Sequence, residues 1–233
     1  MDVPRRFPAL LATVATAATC VGLMLGVGLL HWPWLDAGRS PGVGWLAVGC
    51  AVAALAEFAR LRVRVGTTVV ELGWGEAAFV VLCAVLPAGW VPAAVLVGVG
   101  GAHTALGLLD KRRTAGMILR ASASLTLAAT VGVLVARAIA ATYGSQLTLR
   151  TAAALLAGAL AYALVGVYLG TRQLMDDGLD PATLLRRLLG SKLLMLLGNI
   201  TLGLLVIAVE GVGRAWLVLL MPPVAWLLQQ AYG

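Results

Sequence analysis

Long apolar runs interrupted by short charged segments limit the fold more than any other feature of this sequence. No charged residue occurs between Pro8 and Leu30, between Ala77 and Leu109, or between Ala121 and Ala136. Runs of this length match the span of a transmembrane helix, about 20 residues. Composition agrees: 61% of residues are hydrophobic and 12% charged, with a mean hydropathy of +0.97. A soluble domain carries about 45–50% apolar and about 25% charged residues. An ordinary cytosolic enzyme, a disordered tail and a secreted disulfide scaffold are therefore excluded. In 233 residues there is room for about eight spans and short loops, which makes residues 1–233 one integral membrane domain without a soluble one.

The expected fold is all-α, a polytopic transmembrane helical bundle. Its spans are read at 8–30, 44–60, 76–89, 91–109, 117–139, 151–170, 192–210 and 214–230. The first is read as uncleaved, because its apolar run exceeds that of a signal peptide. The stretch 76–109 is interrupted by Leu86-Pro87-Ala88-Gly89-Trp90-Val91-Pro92 and reads either as two helices or as one kinked helix. Charge separates the two. With two helices and a cytoplasmic N-terminus, 13 Lys and Arg residues lie inside and 4 outside; with one helix the division is 8 against 9. Cytoplasmic loops carry the excess of basic residues, so a broken hairpin at 76–109 is expected, with both termini cytoplasmic in the plasma membrane. The net charge of +7 is then topological and does not imply nucleic acid. Trp32, Trp34, Trp45, Trp90 and Trp216 fall at outer span ends, and Trp74 and Trp226 at inner ends, the headgroup levels that indole rings prefer.

Two connections carry a pattern of their own. In Arg60-Leu61-Arg62-Val63-Arg64-Val65, basic and apolar residues alternate with period two, so 60–72 is expected to be a short extended or hairpin segment. Its arginines read as a face on anionic headgroups or as a coupling element for a cytosolic partner. The connection 171–191 contains Asp180-Pro181, a helix start, leading into a leucine- and arginine-rich interfacial helix. Asp176, Asp177 and Asp180 lack the spacing of a calcium loop and read as a solvated turn.

Ionisable residues within hydrocarbon are functional candidates by default. Glu57 ends the second span, Glu76 opens the third and Arg120 lies near the start of the fifth, so a carboxylate–arginine tie between helix ends is expected, with a ligand or proton site as the alternative. His103 with Thr104, and Asn199 with Thr201, are candidates for interhelical hydrogen bonds worth about 1 kcal/mol each. His31 and His103 lie at different depths, which argues against a bis-histidine haem. Cys20, Cys50 and Cys83 lie in apolar runs without metal spacing and read as small core residues. No cofactor, metal site or catalytic triad is expected, and the chain reads as no enzyme. Gly22-x-x-x-Gly26 and Gly166-x-x-x-Gly170 are close-packing signals for helices within one chain or between two. Pro222-Pro223 should kink the last span.

The order of these features resembles a known arrangement. Ala56-Glu57-Phe58 closes a helix, and the Arg/Val segment follows. Glu71-Leu72-Gly73-Trp74-Gly75-Glu76-Ala77-Ala78-Phe79 then leads into the broken helix, and a Gly-rich helix ends at Asp110-Lys111-Arg112-Arg113. With the closing Leu217–Leu227 run, residues 50–233 resemble the multi-span N-terminal sensor domains found before bacterial GGDEF, EAL or HD-type cyclic-di-GMP signalling domains. The resemblance implies a membrane-embedded signal-input domain whose last helix relays a small-molecule or membrane cue to a cytoplasmic output domain or partner. It supplies no site residues, and the sequence itself carries no GGDEF, EAL or HD motif. The expected partners are the lipid bilayer, a second copy in a homodimer and that output element. A small transport or substrate-capture subunit and a ligand-free membrane assembly protein are the alternative functions.

Overall fold

The computed structural model describes residues 11–23, 43–58, 61–65, 68–109, 114–140, 148–175 and 196–209. Seven α-helices occur among them: α1 (Leu11–Leu23), α2 (Val43–Phe58), α3 (Gly75–Val85), α4 (Val91–Leu109), α5 (Ala115–Ile139), α6 (Leu149–Met175) and α7 (Leu196–Val209). Among the described residues, three stretches are long and apolar enough to cross a membrane: Ala88–Leu109, Ala115–Ile139 and Leu149–Gly170. The expected span at 214–230, the Pro222-Pro223 kink, Gly26, His31 and the connection over 176–195 lie outside the described residues.

Between α2 and α3 the alternating Arg/Val segment forms an antiparallel hairpin of β1 (Leu61–Val65) and β2 (Thr68–Leu72). Its register pairs Leu61 with Leu72, Arg62 with Glu71, Val63 with Val70, Arg64 with Val69 and Val65 with Thr68. Facing residues of an antiparallel pair share a face. One face therefore carries positions 62, 64, 69 and 71, which include both arginines, and the other carries the uncharged positions 61, 63, 65, 68, 70 and 72.

The chain reverses direction between α3 and α4. At one end of α2, the Trp74 amide donates to the Ala56 carbonyl (3.4 Å). Nearer the start of α2, a Cβ on Gly49 would meet Leu86 and Leu82. α3 thus runs antiparallel to α2. A Cβ on Gly98 would overlap the Cys50 carbonyl and crowd Ala53, and His103 meets Glu57, so α4 runs parallel to α2. The break follows from Pro87. Proline lacks an amide proton and disfavours helical geometry at the residue before it, and Leu86 is extended (φ −102°, ψ 150°). A short 3-10 turn at Ala88–Trp90 then leads into α4. Non-helical backbone at membrane depth is tolerated where protein covers it, and Leu86, Ala88, Gly89 and Val91 are all buried. The two arms are unequal. At 1.5 Å per residue the eleven residues of α3 cover about 16 Å, near half of a hydrocarbon core about 30 Å thick.

α5 packs against α4 and α6, whereas α2 packs against α3 and α4. α5 starts two residues before the expected span, so Arg120 falls in its second turn. Thr114 caps this helix, its hydroxyl accepting from the Met117 amide (3.4 Å). Thr148 does the same for α6 through the Thr151 amide (3.2 Å), and Arg150 Nε donates to the Ile139 carbonyl at the end of α5 (3.0 Å). These bonds satisfy helix-terminal groups that have no partner within the helix. Along the buried side of α5, Ser122, Thr126 and Thr130 each donate to the carbonyl four residues earlier, at 2.7–2.9 Å.

The core joins Phe79, Val80, Leu82 and Cys83 of α3 to Val95 and Val99 of α4, Ala128, Ala129 and Val133 of α5, and Leu155 and Ala159 of α6. Cys20 and Cys50 are partly buried and Cys83 fully so, all as free thiols. Two glycines set the α5–α6 approach. A Cβ on Gly132 would lie 2.6 Å from Phe79 Cζ and 2.8 Å from the Gly158 carbonyl oxygen; one on Gly158 would lie 2.7 Å from the Gly132 carbonyl oxygen. Gly166 has only ordinary contacts, at 3.9 and 4.0 Å. Gly158→Ala should therefore destabilise the protein by about 1–3 kcal/mol through overpacking, and Gly166→Ala should be near neutral. Thermal unfolding of the two variants in detergent tests this; equal melting temperatures would contradict the α5–α6 contact.

Candidate functional site

Five helices bring polar side chains to the end of the bundle where α2 closes, α3 opens and α4 approaches the basic segment Lys111-Arg112-Arg113. Glu57 comes from the last turn of α2, and its carboxylate lies 3.3 Å from His103 Nε2 on α4. Both side chains are buried. The contact is an ion pair when the imidazole is protonated and a hydrogen bond when it is neutral.

The second carboxylate, Glu76, sits in the first turn of α3. Asn199 of α7 reaches it from across the bundle. The Asn199 Nδ2 group donates to Glu76 Oε2 (2.8 Å) and to the Gly73 carbonyl (3.0 Å). Both partners are acceptors, so the amide nitrogen faces them and Oδ1 is left as an acceptor. Asn199 is only 3% exposed. The Asn199 contact with Gly73 ties down the non-helical entry to α3, a segment already bonded to α2 through Trp74 and Ala56. Close packing continues along α7: a Cβ on Gly203 would lie 2.8 Å from Val80 Cβ.

Tyr162 of α6 lies beside the opening of α3. Its ring stacks on Phe79 with centroids 4.9 Å apart and planes within 9°. The stack directs the hydroxyl to the opening of α3, where a Cβ on Gly75 would lie 3.1 Å from it. The Tyr162 side chain is buried.

The residues singled out from sequence are thus partly united. Glu57 meets His103, and Glu76 meets Asn199. Arg120 is half-buried on α5 and pairs with neither carboxylate among the described residues. Among the described residues, Thr104 and Thr201 form no interhelical bond: each donates within its own helix, to the Gly100 and Leu197 carbonyls respectively (both 2.7 Å). Tyr162 was not legible beforehand, because a tyrosine in an apolar helix carries no local signal of what its hydroxyl meets. Arg137, which the charge pattern assigns to the outer side, is buried near the end of α5, close to Cys83.

No family model, curated protein or solved structure matches the chain.

An Asn199→Ala change removes both donors at once. It should cost about 1–3 kcal/mol, because Glu76 and the Gly73 carbonyl lose their partner. A double-mutant cycle with Glu76→Gln, read by thermal unfolding, should give a coupling of about 1 kcal/mol. Additive effects would show that the two side chains do not interact.

Proposed function

We propose that this chain is a membrane-embedded signal-input domain, in which a cue acts at the polar cluster of Glu57, His103, Glu76, Tyr162 and Asn199. The observation that carries this reading is the convergence of five helices on that cluster. A change in charge or hydrogen bonding there bears on the relative positions of α2, α3, α4, α6 and α7 together, which is what a switch between two packings requires. The cluster also lies beside the arginine-bearing hairpin, at the end that the positive-inside rule assigns to the cytoplasm.

In this reading the chain crosses the bacterial inner membrane about eight times, with both termini in the cytoplasm. The segment 214–230 is the relay to a cytoplasmic output element. The resemblance to input domains of cyclic-di-GMP signalling proteins suggests the class of output, and homodimerisation fits such a relay. Catalysis is assigned to the output element and not to this chain.

One feature favours a second reading. The half-length α3, broken at Leu86-Pro87, is the kind of discontinuous helix that lines solute sites in transporters. A solute-capture subunit would copurify with its solute or show saturable uptake.

The test of the first reading is a fusion of the chain to a cytoplasmic reporter domain. Glu57→Gln and Glu76→Gln should each shift reporter output about fivefold or more, while the amount of protein inserted in the membrane stays at the parental level. Unchanged output from both variants would remove the cluster from signalling.

A further inference from the structure

We infer that the hairpin β1–β2 is a docking surface for anionic phospholipid headgroups. It lies along the membrane surface, with its uncharged face toward the acyl chains and its arginine face among the phosphates. This goes beyond the signal-input reading and does not rest on it. It needs only that the bundle is held in a bilayer.

The hairpin is two-faced by register. Positions 61, 63, 65, 68, 70 and 72 share one face, and five of them are Leu or Val. The opposite face carries Arg62, Arg64, Val69 and Glu71. Arg62 is paired with Glu71 across the strands, whereas Arg64 is paired with Val69 and has no acidic residue opposite it. A two-stranded hairpin with nothing against its apolar face is marginal in water. Among the described residues each strand packs on the other, and no helix packs extensively on either.

The place of the hairpin decides what meets that face. β1 begins three residues after Phe58 closes α2, and the Trp74 amide, just beyond β2, returns to the Ala56 carbonyl (3.4 Å). Both ends of the hairpin are thus held at the end of α2. Apolar surface is open at this end of the bundle. Phe58 is 46% exposed, and Leu108 and Leu109, which close α4, are 80% and 83% exposed. Basic sequence follows each helix: Arg60, Arg62 and Arg64 after α2, and Lys111, Arg112 and Arg113 after α4. Glu71 and Asp110 are the only acidic residues of segments 59–72 and 110–113. Exposed apolar side chains beside a surplus of cations complement hydrocarbon covered by anionic headgroups, and polybasic segments next to a span bind such lipids. A soluble acidic partner would match the arginines alone. A lipid surface matches both faces of the hairpin and the neighbouring leucines.

Dimensions fix the orientation. At about 3.4 Å per residue, each five-residue strand is about 17 Å long. The headgroup layer on either side of the hydrocarbon core is about 5–8 Å thick. A hairpin standing upright would carry most of its length out of that layer. One lying flat keeps its uncharged face at the acyl boundary, as interfacial amphipathic helices do.

The test uses the whole chain in lipid nanodiscs and trypsin, which cuts after arginine. Cleavage at Arg62 and Arg64 is followed by mass spectrometry and referred to cleavage at Arg39. The discs contain phosphatidylcholine alone or mixed with phosphatidylglycerol. Cleavage at Arg62 and Arg64 should slow about tenfold or more with phosphatidylglycerol, as expected for two basic residues near an anionic surface. High salt should remove the protection by screening. Arg64→Gln should speed cleavage at Arg62 about fivefold in the anionic discs. Glu71→Gln, which removes the negative charge opposite Arg62, should deepen the protection. Val70→Asn should speed cleavage at both arginines although every charge is kept. Equal cleavage in the two lipids would overturn the inference and leave the arginines to a protein partner. Equal protection by inorganic phosphate in phosphatidylcholine discs would overturn it in favour of a free phosphate. Protection that survives both Arg64→Gln and Val70→Asn unchanged would overturn it too, since another basic segment would then hold the lipid.

Discussion

The absence of side chains at Gly132 and Gly158 is the constraint on which the arrangement depends. Because neither residue carries a Cβ, α5 and α6 meet backbone to backbone. The gap at Gly132 admits the edge of the Phe79 ring from α3. Phe79 then offers its face to Tyr162, one turn beyond Gly158 on α6. The stack points the phenol at Gly75, where a side chain on the first residue of α3 would crowd it. A packing contact in the apolar core thus positions a polar group at the end of the bundle. In lipid, where no hydrophobic force drives helix against helix, such close approach of backbones is the main source of association.

The polar cluster is the second tie, and it works by satisfaction of groups rather than by burial. α3 begins without a side-chain cap, since Trp74 supplies none. The chain entering the helix is held instead by its neighbours: Ala56 accepts from the Trp74 amide, and Asn199 donates to the Gly73 carbonyl. The same amide reaches Glu76. One asparagine on α7 therefore secures both the backbone and the acidic residue of α3, and α2 is tied to the same point. The short helix is located by hydrogen bonds at its open end and by Pro87 at the other.

Much of this was legible in the sequence, in proportion to how local the signal was. Uncharged runs marked the bodies of α4, α5 and α6 to within a few residues, apart from the end of α6, which extends to Met175. Alternation marked the hairpin, because period two is a property of adjacent residues. The reversal at 86–90 followed from charge on distant loops together with the proline. Glu57, Glu76, His103 and Asn199 stood out because each is polar in apolar surroundings. Their pairing did not. Complementary charge suggested Arg120 as the partner, yet α5 packs on α4 and α6 while Glu57 rides on α2. Helix adjacency decides who meets whom, and it is set by glycine contacts such as Gly98 on Cys50, which no single residue announces. Threonines 104 and 201 misled for a related reason: a hydroxyl in a helix finds an acceptor four residues back without a neighbour's help.

The half-length of α3 bears on how the protein enters the membrane. Eleven residues, one of them Glu76, are too few to be held across a bilayer as an independent segment. Residues Ala88–Leu109, by contrast, are long enough to cross. With the reversal at Leu86-Pro87 covered by protein, α3 is held in place by α2, α6 and α7 more than by lipid. The insertion unit is therefore the pair α3–α4, and α3 is retained at its depth only once helices made later in synthesis have closed around it. The order of translation thus makes the opening of α3, with Glu76 in its first turn, one of the last parts of the bundle to be completed, when Asn199 arrives from α7.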